Sequence, residues 1–139
     1  RALYSLGVFY DNGMRGLRVN KVLAVEYYRK AALAGDIEGA YNLGVMLRDG
    51  EGVPRNLAGA SKYFRMAAEK GDTKACTNYG IALMRGDGIA TDYEEAKKWL
   101  RKAEKDGDEL AVQELQKLDM MMRMNSLGVN AGFVYKPLM

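Results

Sequence analysis

Two glycine pairs, Gly50-x-Gly52 and Gly86-x-Gly88, are the first residues whose spacing invites chemistry. Bare backbone amides ahead of a helix can hold an anion such as phosphate. Neither pair follows a strand pattern, and neither carries the Lys-Ser/Thr of a nucleotide loop, so both read as turns. Carboxylates that could share acid-base work occur as Asp87 with Asp92 and as Asp106 with Asp108. Asp92 and Asp108 stand where a helix start needs an acceptor, which makes capping the simpler use of both. Cys76 is the lone cysteine, and the chain has no histidine to activate it as a nucleophile. The lack of histidine also removes the commonest metal ligand, and one cysteine builds no internal disulfide framework. No catalytic residue, cofactor, metal or small-molecule substrate is therefore expected.

Composition narrows the function further. The 139 residues, 48% of them hydrophobic, suffice for one domain with a continuous core. No run approaches the roughly 20 apolar residues that a spanning helix requires. The formal charge is +3 with both signs interspersed, so no strong field draws nucleic acid or an anionic membrane. Arg15, Arg18 and Lys21 form the one local basic cluster. With Lys136 they support the alternative function, an RNA- or ribonucleoprotein-associated scaffold. The single cysteine points to a reducing compartment, hence to an intracellular location in the cytosol or an organelle interior.

The elements that position these residues repeat. The stretch from Ala40 to Asp72 reads Ala40-Tyr-Asn-Leu43-Gly44, then Gly50-Glu-Gly52-Val53, then Ala60-Ser-Lys-Tyr63-Phe64, then Ala67-Ala68-Glu-Lys-Gly71-Asp72. A step of 36 residues forward meets Gly80, Gly86, Gly88, Ile89, Ala96, Trp99, Leu100, Ala103, Gly107 and Asp108 in the same roles. The same step back meets Gly16, Leu17, Ala24, Tyr27, Tyr28, Ala31, Ala32, Gly35 and Asp36. Leu6, Gly7 and Gly13 stand one residue further off, so the register slips by one between Gly13 and Gly16. A fixed period of this size marks an array of small units, each unable to bury its apolar face alone.

Within each unit apolar residues recur at i, i+3, i+4 and i+7, as in Ala40, Leu43, Gly44, Leu47 and in Ala60, Tyr63, Phe64, Ala67. Asn20, Asn56 and Asp92 cap the second helices, with Glu95 completing a capping box; Gly35, Gly71 and Gly107 end them. Asp36, Asp72 and Asp108 then cap the helices that follow. These signals place helices near 2–12, 20–34, 37–48, 56–70, 73–84, 92–105 and 109–124. A mid-helix glycine costs on the order of 1 kcal/mol against alanine, so Gly7, Gly44 and Gly80 need a packing reason. The expected one is a large aromatic of the second helix, Tyr27, Tyr63 or Trp99, laid over the bare backbone.

This pattern of A-x-x-L-G, G-x-G-V, a polar cap, an alanine-aromatic helix and a closing glycine resembles the Sel1-like repeat, a helix-turn-helix relative of the tetratricopeptide repeat. Residues 40–71 meet it almost position for position, whereas the third unit departs at Tyr79 and Glu104. The resemblance implies an all-α, right-handed α-solenoid of three helix-turn-helix repeats, and a protein-protein interaction scaffold without an active site of its own. The expected organisation is a solenoid over 1–124, with units near 1–35, 36–71 and 72–107, a capping helix over 108–124 and an extended tail over 125–139. In the capping helix Glu109, Gln113, Glu114, Gln116 and Lys117 are expected on the polar side, and Leu110, Val112, Leu115 and Leu118 on the other.

By analogy with solenoids generally, the first helices line the concave face. Tyr4, Val8, Tyr41, Val45, Arg48, Thr77, Ile81 and Met84 are thus the candidate partner groove. Phe133 and Tyr135, in a tail too apolar for free solution, join them as candidates. A carboxylate clamp of the tetratricopeptide kind is not expected, because Val8, Val45 and Ile81 are apolar where that clamp carries asparagine. The chain opens at Arg1, which aligns with Glu38 inside the first helical turn, so more protein upstream and a place in a larger multisubunit assembly are expected.

Overall fold

The computed structural model describes residues 1–128. Its helices are α1 (Ala2–Asn12), α2 (Lys21–Leu33), α3 (Ile37–Asp49), α4 (Leu57–Glu69), α5 (Thr73–Arg85), α6 (Tyr93–Lys105) and α7 (Glu109–Ser126), and no strand occurs among the described residues. Helix α7 runs two residues past the expected end at 124.

Local chemistry explains the bounds. The side chains of Asn20, Asn56 and Asp92 accept from the backbone N–H groups of Leu23, Gly59 and Glu95 at 3.1, 2.8 and 3.0 Å. Asp36, Asp72 and Asp108 do the same for α3, α5 and α7. The capping box expected at Asp92 is only half formed. The Asp92 N–H donates to Leu83 O at 2.9 Å instead, and Glu95 turns away to accept from Trp99 Nε1 at 3.0 Å. The same tie to the preceding helix recurs at Asn20, which donates to Tyr10 O, and at Asn56, which donates to Leu47 O. A cap residue bonded backward in this way fixes the turn of each hairpin as well as the start of its second helix.

Each helix packs on its neighbours in the chain, so the core is a continuous band from Ala24 to Leu118. Its middle is rich in small residues. Ala60, Ala67, Ala68, Ala75, Ala96 and Ala103 are buried between helices. Close approach also explains the mid-helix glycines, but with a corrected partner. A Cβ on Gly7 would sit 2.6 Å from the Tyr28 ring, one on Gly44 2.7 Å from the Phe64 ring, and one on Gly80 2.7 Å from Leu100. The covering residue is thus the one after Tyr27, Tyr63 or Trp99, about 100° further round its helix. Tyr27 and Trp99 lie to the side, Tyr27 stacked on Tyr10 and Trp99 edge-on to Tyr79.

The second glycine of each Gly-x-Gly turn joins one unit to the next. A Cβ on Gly52 would fall 2.3 Å from Lys21 O, and one on Gly88 2.3 Å from Ala58 N, so each turn rests on the first turn of the preceding unit's second helix. Gly16, at the matching place in the first unit, has nothing within 4 Å. The register slip is absorbed here as well: Arg15 takes the left-handed φ of 55° and lays its guanidinium 5.2 Å from the Phe9 ring centre.

Helix α7 corrects the expected sidedness. Ala111, Leu115 and Leu118 are buried, whereas Leu110 and Val112 are 45% and 37% exposed and Glu114 is 3% exposed. The inward stripe follows α5 at the repeat step, with Ala111 after Ala75, Glu114 after Asn78 and Leu115 after Tyr79. No described helix is long and apolar enough to cross a membrane.

Candidate functional site

Contacts beyond chain neighbours show which helices share a side of the stack. Among non-consecutive helices, α1 meets α3 and α5 meets α7, while the even-numbered helices make no comparable contact with each other. These contacts group the odd-numbered helices on one side of the stack. Tyr4 and Val8 of α1, Tyr41 and Val45 of α3 and Ile81 of α5 lie there, packed against the core yet partly exposed. Tyr4 and Tyr41 lean on the rings that cover the glycines, at 5.9 Å from Tyr28 and 5.8 Å from Phe64.

Polar groups link these residues along the face. The Asn78 amide donates to the Tyr41 hydroxyl at 3.4 Å and to Lys74 O at 3.1 Å, and its Oδ1 accepts from Arg48 Nη1 at 3.2 Å. Arg48 also donates to Asp49 at 2.9 Å, so its charge is compensated where it stands. Between α3, α4, α5 and the start of α7 this face opens into a pocket of about 350 Å³.

Two of the candidate groove residues do not belong to it. Thr77 is 1% exposed and donates its hydroxyl to the Asp108 carboxylate, which ties α5 to the cap of α7. Met84 is 3% exposed in the core, because it lies on the side of α5 that meets its neighbours. Phe133 and Tyr135 lie outside the described residues. Asn78 and Glu114 were not among the candidates. The signal that finds them is the repeat itself, since Asn42, Asn78 and Glu114 fall at successive 36-residue steps.

The basic loop is partly spent inside the molecule. The Lys21 ammonium meets the Asp11 carboxylate and, at 3.6 Å, Glu51; the Asp11 hydrogen bond pushes its pKa above the ordinary lysine range. Tyr28 donates its hydroxyl to the same Asp11 at 3.1 Å. Burial, reinforced by that carboxylate, raises the Tyr28 pKa strongly, and burial raises those of Tyr4 and Tyr79 too. Cys76 is fully buried, with its thiol directed at Ala68 O and its pKa pushed up by burial, the opposite of what a nucleophile needs. Among the described residues no group of three or more His, Cys, Asp or Glu side chains is placed to hold a metal ion.

Stacked helical hairpins with a curved inner face define an α-solenoid repeat protein. The Sel1 repeat pattern matches residues 1–36, 37–72 and 73–108, and the chain belongs to the Sel1 repeat family. Solved relatives agree. A Sel1 repeat protein from Oxalobacter formigenes is 34% identical with a TM-score of 0.77, the match covering 82% of this chain and 46% of that one. A protective antigen of uropathogenic Escherichia coli strains, displaying an SLR fold, is 38% identical with a TM-score of 0.80, over 93% of this chain and 27% of that one. The chain thus spans less than half the length of either. Cysteine rich protein B of Helicobacter pylori, at 24% identity and a TM-score of 0.68 over 81% of this chain and 88% of that one, shares the fold. No match was found among curated proteins.

Proposed function

We propose that this chain is a non-enzymatic scaffold that holds an extended polypeptide along the inner face of α1, α3 and α5, as an adaptor or subunit of a larger assembly. One observation carries this function: Tyr4, Val8, Tyr41, Val45 and Ile81 form a row of half-buried aromatic and aliphatic side chains across three repeats. Rows of apolar anchors with polar groups between them suit a peptide main chain better than a compact small molecule. The repeat family supports the same role.

A photo-reactive residue placed in turn at Val45 and Ile81, and for comparison at the outward Lys62 and Lys98, tests it. Inner positions are expected to crosslink one and the same polypeptide, and Val45→Glu is expected to abolish the adduct. Adducts formed only from the outer positions would overturn the assignment. The crosslink should survive moderate salt, since apolar anchors release no counterions; steep loss with salt would instead mark a nucleic-acid backbone bound through Arg18 and its neighbours.

A further inference from the structure

The pocket between α3, α4, α5 and α7 holds a carboxylate that the fold leaves incomplete. Glu114 lines it and is 3% exposed. Its Oε1 accepts from Lys117 at 3.3 Å, and its Oε2 is buried without a hydrogen-bond partner among the described residues. A buried acceptor left unpaired is expensive, and native structures rarely keep one without a use. At the same register the neighbouring helices carry the neutral amides Asn42 and Asn78, so α7 alone places an anion on this line.

Building on the peptide-scaffold function above, we infer that this pocket receives a lysine or arginine side chain of the bound polypeptide, with Glu114 as its counter-charge. Leu57, Phe64, Ile81 and Leu110 supply apolar walls along which the aliphatic stem of such a side chain can lie. The other charges lining the pocket are of both signs. Arg48 is held by Asp49 and Asn78, and Arg85 and Asp87 line it with opposite signs. The terminal torsion of a glutamate is soft, so the carboxylate can turn to present an oxygen to the pocket. Lys117 is mostly exposed and its contact with Glu114 is long at 3.3 Å, so the incoming cation displaces it at small cost.

The test is a chemical-shift titration of the 139-residue chain with three capped amino acids: acetyl-lysine methylamide, its arginine counterpart and the norleucine counterpart, which keeps lysine's four-carbon stem and lacks only the ammonium. Saturable shifts are expected for backbone amides of 78–85 and 110–117 with the two cations and not with norleucine. Glu114→Gln, nearly isosteric, is expected to keep the folded spectrum and to weaken the cations about tenfold, the effect of one charge-assisted hydrogen bond. Lys117→Ala should bind them more tightly, because the internal competitor is gone. Equal shifts with norleucine, unchanged binding in Glu114→Gln, or no saturable response at these residues would each overturn the inference. Failure here with inner-face crosslinks intact would remove only the cation pocket; cation binding without inner-face crosslinks would remove the scaffold function instead.

Discussion

At Gly44 two opposing effects can be weighed. Alanine there gains helix propensity of about 1 kcal/mol, but its Cβ lands 2.7 Å from the Phe64 ring, and overpacking costs about 1–3 kcal/mol. Gly44→Ala should therefore be mildly destabilising. Gly44→Val, with more bulk and little propensity gain, should lose about 3 kcal/mol in a denaturant melt. The ring that must yield is Phe64, since Tyr63 lies one position away; Tyr63→Leu should not relieve the valine variant. Cys76 offers a second measurement. Its buried thiol, with a pKa raised from 9.0, should resist thiol reagents at neutral pH in the folded protein and react promptly once denatured.

The elements are held together by turns that touch. Gly88 has φ 73° and its Cβ would meet Ala58 N at 2.3 Å, whereas Gly16, with φ 76°, faces open space. Alanine at Gly16 pays only the left-handed backbone strain, about 1–2 kcal/mol. Alanine at Gly88 adds a backbone collision between two units, so Gly88→Ala should be the more destabilising in parallel urea melts. Equal losses would mean that the units do not lean on one another through these turns. At the far end, Asp108→Ala removes the cap of α7 and leaves the buried Thr77 hydroxyl only the Thr73 carbonyl at 3.3 Å, an expected loss of about 1–2 kcal/mol. Fraying of α7 should accompany it, read by amide exchange.

Across the whole molecule the first and third units carry ionisable groups that burial keeps neutral: the half-buried Tyr4 and the buried Tyr28 in the first, Cys76 and Tyr79 in the third. Each folded pKa lies above its ordinary value, 9.0 for the thiol and 10.0 for the phenols. The stabilisation is therefore complete below about pH 9 and lost as pH climbs through and beyond 10. The melting temperature should fall on the alkaline side, and Tyr28→Phe should flatten that fall. Because all these groups share one continuous core, the transition should stay cooperative.

The seven helices, their caps and the closing glycines were legible in the sequence because each depends on a few adjacent residues. An aspartate at a helix start or a glycine at its end acts within one turn, and the 36-residue step then repeats the answer. Family membership followed from the same local pattern. Only tertiary packing decided which of two consecutive aromatic positions covers each glycine, that Thr77 and Met84 face the core, and that Glu114 is buried beside a pocket. Neighbouring residues on a helix differ by about 100° of rotation, so their fate turns on how a second and third helix approach. That approach is set by contacts between units, such as Gly88 on Ala58, which no single stretch of the chain contains.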